Sequence, residues 1–314
     1  MRGAKRLGIL LACFIVLCGT WARAGQIEAW GRYQEGQCNA PVGEEVVAIS
    51  AGGAHSLALK RDGTVAGWGE DNHGRCDVPE GDGFVAISAG YGHSLALTSD
   101  GQIRAWGWDL YAQCDAPSGN GYMGIAAGYD HSVAIAPDGE LVAWGRNNYG
   151  QCDPPEGDDF VALSAGYGHN LALREAGSLA AWGFNNSGQC DVPDGVGFEA
   201  ISAGGYHNLA LRKDGSVAAW GYNGNGQCDV PAGVRFVAIA AGQWHSVGVT
   251  DTGQVLAWGM DEDSQCTGLP TGSFRGVSAG GWHSLAITPE PATLMLLAVG
   301  GIGLFRRRYE TRKG

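Results

Sequence analysis

Basic residues are scarce in this chain. Between residues 25 and 288 there are 11 Lys and Arg against 30 Asp and Glu, and the 314 residues together carry a formal net charge of −12. A surface so negative repels phosphate backbones, which excludes nucleic acid as the natural partner. Long apolar runs are missing too. The two at the chain ends, Leu7–Leu17 and Leu294–Phe305, fall short of the roughly 20 residues that span a bilayer. What is plentiful is glycine, 54 residues beside 11 Pro, a combined share still below the roughly 25–30% of low-complexity chains. With 45% hydrophobic residues there is ample material for a core, so the glycines call for a fold with many tight turns.

The ends separate from the rest. Residues 1–24 have a basic start (Arg2, Lys5, Arg6), an apolar stretch and Ala22-Arg23-Ala24, the pattern of a secretory signal peptide cleaved after Ala24. A lipid-anchored Cys18 is the alternative, and bulky Leu17 before it makes a poor site of that kind. At the other end, Pro289-Glu290-Pro291 is followed by a dozen apolar residues and Arg306-Arg307-Arg308. A marginal anchor helix with a cytoplasmic stop is one reading. The three parts in this order also resemble a PEP-CTERM sorting signal. That likeness implies processing by an exosortase-type membrane enzyme and delivery to the cell surface or outside, either released or transiently anchored through residues 289–314.

Self-similarity decides the fold expected for residues 25–288. Trp-Gly pairs start at Trp30, Trp68, Trp106, Trp144, Trp182, Trp220 and Trp258, always 38 residues apart. His55, His93, His131, His169, His207, His245 and His283 keep the same step, as do Cys38, Cys76, Cys114, Cys152, Cys190, Cys228 and Cys266. Within a unit, Phe84–Gly90 reads as an apolar strand A and His93–Leu97 as a strand B buried on both faces. Asp100-Gly101 reads as a hairpin turn and Ile103–Gly107 as strand C. A short outer strand D is expected before the Pro, which edges tolerate. Four strands per 38 residues predict an all-β, seven-bladed β-propeller; turn chemistry and period-2 patterning oppose a helical repeat, and a β-solenoid is the remaining rival. The chain opens on a strand C without its B (Ile27–Gly31) and closes on a strand B without its C (His283–Ile287). Pairing the N- and C-terminal strands completes the seventh blade and leaves no free edge.

The carriers Ala-Gly-x-x-His-Ser-Leu-Ala-Leu, Asp-Gly-x-Val, Ala-Trp-Gly and Asn-Asn-x-Gly-Gln resemble the regulator-of-chromosome-condensation repeat family over residues 26–287. The unit is shorter than the family's, and Gly-Gln-Cys-Asp stands where the family has Gly-Gln-Leu-Gly. In compactness it is more similar to secreted propeller-type β-lactamase inhibitor proteins. Nucleotide-exchange members of the family act through an inserted wedge, for which uniform spacing leaves no room.

Residues repeated in every blade are expected to be scaffold. The histidines are expected to bond backbone within their own blades rather than converge on a metal, and the Trp rings to pack the core. Blades pack roughly 10 Å apart, beyond the ~7 Å Cα limit of a disulfide, and an odd number of cysteines leaves at least one unpaired. They read as buried free thiols filling apolar space, with disulfides as the alternative.

Function should sit where the blades differ. Trp108, Trp244 and Trp282 break the period at the end of strand C or the start of strand B, which share one face of the ring. Tyr33, Tyr91, Tyr111, Tyr129, Tyr149, Tyr167, Phe184, Tyr206 and Tyr222 fall on that face as well. The candidate ligand-binding set is Trp108, Tyr111, Phe184, Tyr206, Tyr222, Trp244 and Trp282, recognising a protein or a carbohydrate. A secreted inhibitor of an exported enzyme is a narrower version, and the likeness to propeller inhibitors points the same way. A channel-sited enzyme would need a unique acid, base or nucleophile group. Only His73 lies off the histidine period, in a loop expected to be solvated, and Asp261-Glu262-Asp263 lacks the ligand spacing of a calcium loop. A purely structural extracellular component is the third class. No catalytic residue, metal or cofactor is assigned, and a monomer is expected.

Overall fold

The computed structural model describes residues 25–43 and 45–289. The expected leader, and the expected sorting segment after Pro289, lie outside the described residues. The chain enters on β1 (Ile27–Gly31). Blade 1 is β2 (Val46–Ala51), β3 (His55–Lys60) and β4 (Val65–Gly69), and blade 2 is β5 (Phe84–Ala89), β6 (His93–Thr98) and β7 (Ile103–Gly107). Blade 3 is β8 (Gly124–Ala127), β9 (His131–Ile135) and β10 (Leu141–Gly145); blade 4 is β11 (Phe160–Ala165), β12 (His169–Arg174) and β13 (Leu179–Gly183). Blade 5 is β14 (Phe198–Ala203), β15 (His207–Arg212) and β16 (Val217–Gly221). Blade 6 is β17 (Phe236–Ala241), β18 (His245–Thr250) and β19 (Val255–Gly259), before β20 (Gly276–Ala279) and β21 (His283–Ile287).

Each blade is an antiparallel sheet of three strands, and the seventh has the order β1-β21-β20. Ile27 pairs with Ile287 and Gly31 with His283, so the chain ends do complete one blade. The hairpin turns behave as Asp-Gly turns require. Gly101 has φ 79°, and a Cβ there would come within 2.5 Å of Gly121 N, so glycine is the residue that fits.

The expected fourth strand does not form. After each Trp-Gly the chain makes tight turns, because side chains satisfy the backbone donors that a ladder would have used. Gln113 Oε1 accepts from Tyr111 N (2.8 Å), and Asp109 Oδ1 accepts from Cys114 N (2.7 Å). The same pair of bonds recurs with Gln151 and Asn147, Gln189 and Asn185, and Gln227 and Asn223. This loop folds back over strand C, so that a Cβ on Gly67 would meet Cys76 O at 3.0 Å. It covers the edge without pairing to it.

The core lies between blades rather than within them. Leu57 and Leu59 of β3 pack against Phe84 and Ile87 of β5, and an equivalent cluster fills each of the seven interfaces, including Leu285 and Ile287 against Val46 and Ile49 at the closure. Burying one such Leu or Ile contributes about 1.5–3 kcal/mol.

Polar links run through the same interfaces. All seven periodic histidines are fully buried. Their Nε2 atoms reach the next blade, not their own backbone as expected: His55 to Ser94 (2.9 Å), His93 to Ser132 (2.8 Å), and His131 to Asn170 Oδ1 (2.8 Å). The circuit closes through His283 and Ser56 (2.8 Å). An amide Oδ1 only accepts, and Ser94 Oγ donates its proton to Arg75 O (3.0 Å), so the imidazole carries its proton on Nε2. Burial holds these imidazoles neutral, pushing His93 down to about 3 and His131 to about 4. Each periodic Trp Nε1 donates to a loop carbonyl of the preceding blade, as Trp106 does to Arg75 (2.9 Å). On the channel side, Ser50, Ser88, Ser164, Ser202 and Ser278 accept from an alanine N–H one blade on.

The seven cysteines among the described residues are free thiols, half-buried rather than fully buried. Each donates to the carbonyl of the residue after Trp-Gly, as Cys38 does to Arg32 O (3.1 Å). Burial pushes the thiols up to about 11 or 12.

Candidate binding face

One backbone bond per blade fixes the geometry of the face. The residue after Trp-Gly donates its N–H to the residue before His: Trp108 to Gly92 O (2.9 Å), Phe184 to Gly168 O (2.8 Å) and Tyr222 to Tyr206 O (2.8 Å). Arg32 bonds Trp282 O (2.9 Å) and Met260 bonds Trp244 O (3.0 Å) in the same way. The two kinds of off-period position therefore sit side by side at one end of every blade. A second ring of bonds runs round the channel mouth, from Tyr91 N to Gly128 O, Tyr129 N to Gly166 O and finally Gly281 N to Gly52 O. The mouth is a depression of about 90 Å³, continuous in sequence with the Ala- and Ser-lined strands of a channel of about 140 Å³.

Aromatic rings fill one arc of this rim. Tyr91 stacks on Tyr129 (centroids 3.9 Å apart), Tyr129 lies 4.5 Å from Tyr167, and Tyr167 stacks on Tyr206 at 5.0 Å. Tyr206 in turn stacks on Trp244 at 4.9 Å. Phe184 joins Tyr206 to Tyr149, and Tyr222 meets Trp244 edge-on at 5.8 Å. Glycines make room for these rings. A Cβ on Gly53 would stand 2.8 Å from the Tyr91 ring, and one on Gly168 would stand 3.0 Å from the Tyr149 ring. Burial, reinforced by the Tyr91 hydroxyl, pushes the Tyr129 phenol well above its ordinary range.

Of the seven candidates, Phe184, Tyr206, Tyr222 and Trp244 belong to this one network. The other three pair separately on the same face. Trp108 takes the His73 ring edge-on at 4.2 Å, and His73 remains exposed, as expected of its loop. His73 has φ 78°, a left-handed conformation unusual for a non-glycine residue. Arg146 lies over Tyr111 at 5.1 Å and Arg32 over Trp282 at 5.4 Å. The centre of the arc, Tyr91, Tyr129 and Tyr167, is absent from the candidate set. Its signal was available: three consecutive blades carry Tyr at the first position after Ala-Gly, where Gly53, Gly205, Gln243 and Gly281 stand elsewhere.

The three arginines of this face are each paired internally. Arg32 bonds Glu35 (2.6 Å), Arg75 bonds Glu70 (3.1 Å) and Arg146 bonds Asp130 (3.2 Å). Burial pushes the Asp130 carboxyl up, against the pull of that Arg146 bond. Arg75 stands where six other loops have Gln, and it is buried. Tyr33 stands where six other loops have Asp or Asn, and it is 74% exposed. Among the described residues no group of three His, Cys, Asp or Glu is placed to hold a metal ion.

The regulator of chromosome condensation (RCC1) repeat model matches six segments: 46–75, 84–113, 124–151, 160–189, 198–227 and 236–265. The seventh unit is split between the chain ends. The PEP-CTERM protein-sorting motif matches residues 288–308. No curated protein matches the chain. Among solved structures, Prp20p from Saccharomyces cerevisiae, described with its binding to Gsp1p and histones, superimposes with TM-score 0.74 at 19% identity, over 88% of this chain and 94% of that one. Human WBSCR16 gives 0.71 at 16% identity, over 85% and 100%. The ectodomain of the Physcomitrella patens receptor kinase CR4 gives 0.65 at 24% identity, over 78% and 70%. At these identities the likeness is one of fold.

Proposed function

The chain belongs to the regulator of chromosome condensation (RCC1) repeat family and carries a PEP-CTERM sorting motif, and from this we propose an exported protein-binding module presented at the cell surface. Residues 1–24 are its leader, 25–288 the binding propeller and 289–314 the segment read by an exosortase-type enzyme. The contact surface is the aromatic face, centred on the stack from Tyr91 to Trp244. That stack is the observation that carries the reading, because a closed scaffold needs no such row of rings at one rim.

Strand direction supports the presentation. β21 runs from His283 beside Gly31, on the aromatic face, to Ile287 beside Ile27, at the hairpin-turn face. The sorting segment thus departs from the side opposite Trp108 and Trp244, and a tethered molecule holds its aromatic rim outward. The stacking also favours protein over carbohydrate. Tyr129, Tyr167 and Tyr206 each have neighbouring rings on two sides, so their faces are less available to a sugar ring, while edges and hydroxyls remain for polypeptide contacts.

The test is affinity capture. The chain from Gly25, immobilised and challenged with exported proteins, should retain a defined set of polypeptides, and a Trp108→Ala/Trp244→Ala/Trp282→Ala variant should lose them. The same set retained by both proteins would remove the aromatic face from the function.

A further inference from the structure

The face shows twice how it holds a guanidinium. Arg32 lies over Trp282 and bonds Glu35; Arg146 lies over Tyr111 and bonds Asp130. In each case an aromatic ring and a carboxylate share one arginine, the ring supplying a flat negative surface and the carboxylate a charge partner.

At Tyr222 and Trp244 the face has two rings with no arginine beside them, and an acidic loop starts next to Trp244 and runs toward the closing blade. Tyr222 is 39% exposed and meets Trp244 edge-on. The loop that follows Trp258 starts beside Trp244, through Met260 N to Trp244 O (3.0 Å). It reaches the closing blade through Trp30 Nε1 to Gln265 O (2.9 Å). Between these anchors it carries Asp261, Glu262 and Asp263. Asp261 Oδ1 is occupied by Cys266 N (2.7 Å), and Asp263 helps hold Arg32 charged. Glu262 is exposed. Phe184, Tyr222 and Met260, which occupy the slot of Arg32 and Arg146 in these blades, bring no cation.

We propose that the Tyr222–Trp244 sector is the docking point for an arginine side chain of the protein partner, with Glu262 as its carboxylate. This rests on the aromatic face being the contact surface. Charge complementarity selects the occupant: the 30 Asp and Glu against 11 Lys and Arg of residues 25–288 favour a basic segment, and the face's own arginines are already paired. Arginine is preferred to lysine because a planar guanidinium both stacks on a ring and bonds a carboxylate in a fork.

The probes are a nona-arginine peptide, a nona-lysine peptide and cellohexaose, titrated at physiological salt into the full chain in neutral detergent. The expected result is arginine-peptide binding at least about 5-fold tighter than lysine-peptide binding, with no cellohexaose binding. Tyr222→Leu/Glu262→Gln should weaken the arginine peptide about 10-fold. Glu80→Gln/Glu156→Gln, near the hairpin-turn face, should leave it within about 2-fold; a matching circular dichroism melt establishes that both variants fold. Equal loss in the two variants, equal affinity for the two peptides, or cellohexaose binding lost with Tyr222→Leu would overturn the proposal. Captured polypeptides that depend on the three tryptophans while the arginine peptide ignores Tyr222 and Glu262 would sink this inference and leave the broader reading standing.

Discussion

His283 Nε2 lies 2.8 Å from Ser56 Oγ, so the last described strand is bonded to the first complete blade by the same link that joins every other pair of blades. The ring is closed by chemistry that is repeated, not by a special clasp. Ser56→Ala strands a buried N–H on His283, which costs about 1–3 kcal/mol. Ser132→Ala does the same to His93, bonded at 2.8 Å. The two variants should lower the urea midpoint by similar amounts; a loss at Ser56 several times that at Ser132 would mean the closure is a weak point.

Acid should unfold the propeller through the same histidines. Their imidazoles fall to about 3 in His93, His207 and His283 and to about 4 in His131, His169 and His245, from an ordinary 6.5. A depressed folded value means that the unfolded chain takes up the proton first. The stabilisation is therefore complete above about pH 6.5 and is lost as pH falls toward 4, by up to about 1.4 kcal/mol per pH unit for each histidine. Urea midpoints measured from pH 7.5 to 4.5 should fall steeply below pH 6, and a flat profile there would contradict the assigned neutral tautomers.

The thiols should be slow to react. With Cys38 at about 11 and Cys76 and Cys114 at about 12, almost no thiolate exists at pH 8. Iodoacetamide should label the native protein sluggishly at that pH. In the chain from Gly25, which holds seven of the nine cysteines, seven thiols should react once it is unfolded without reductant; fewer than seven would reveal disulfides.

The architecture was open to sequence reasoning because each blade repeats the same solution, so that His93, Trp106 and Cys114 could be read seven times over. The error over the outer strand has a local cause. Gln113 and Asp109 look like ordinary loop residues, and nothing in the pattern says that their side chains will take the backbone donors of Tyr111 and Cys114. The histidines misled similarly: a 38-residue period announces that His55 matters, but not that its partner Ser94 lies in the following unit. On the binding face, solitary departures such as Trp244 stand out in a sequence. Tyr91, Tyr129 and Tyr167 were visible as departures too, since the other blades carry Gly or Gln there, but it is their stacking that shows them to be the centre of the arc.

Backbone proximity at the rim sets another expectation. A Cβ on Gly90 would stand 2.5 Å from Gly128 O and 2.7 Å from His93 Cε1, whereas one on Gly276 would meet nothing within 4 Å. Gly90→Ala should cost about 1–3 kcal/mol by forcing two blades apart, and Gly276→Ala should be close to neutral. Denaturant melts of the pair measure both, and indistinguishable midpoints would argue against the close approach of blades 2 and 3.

The most direct measurement is calorimetric titration of a captured polypeptide, once purified, against the chain from Gly25 and its Trp244→Ala variant. Trp244 ends the aromatic stack at Tyr206 and touches Tyr222, and truncating a central anchor of this kind costs about 2 kcal/mol or more. The expected result is affinity at least about 10-fold weaker for the variant, with an unchanged melting profile. Equal affinity for both proteins would contradict the assignment of the aromatic rim as the binding surface.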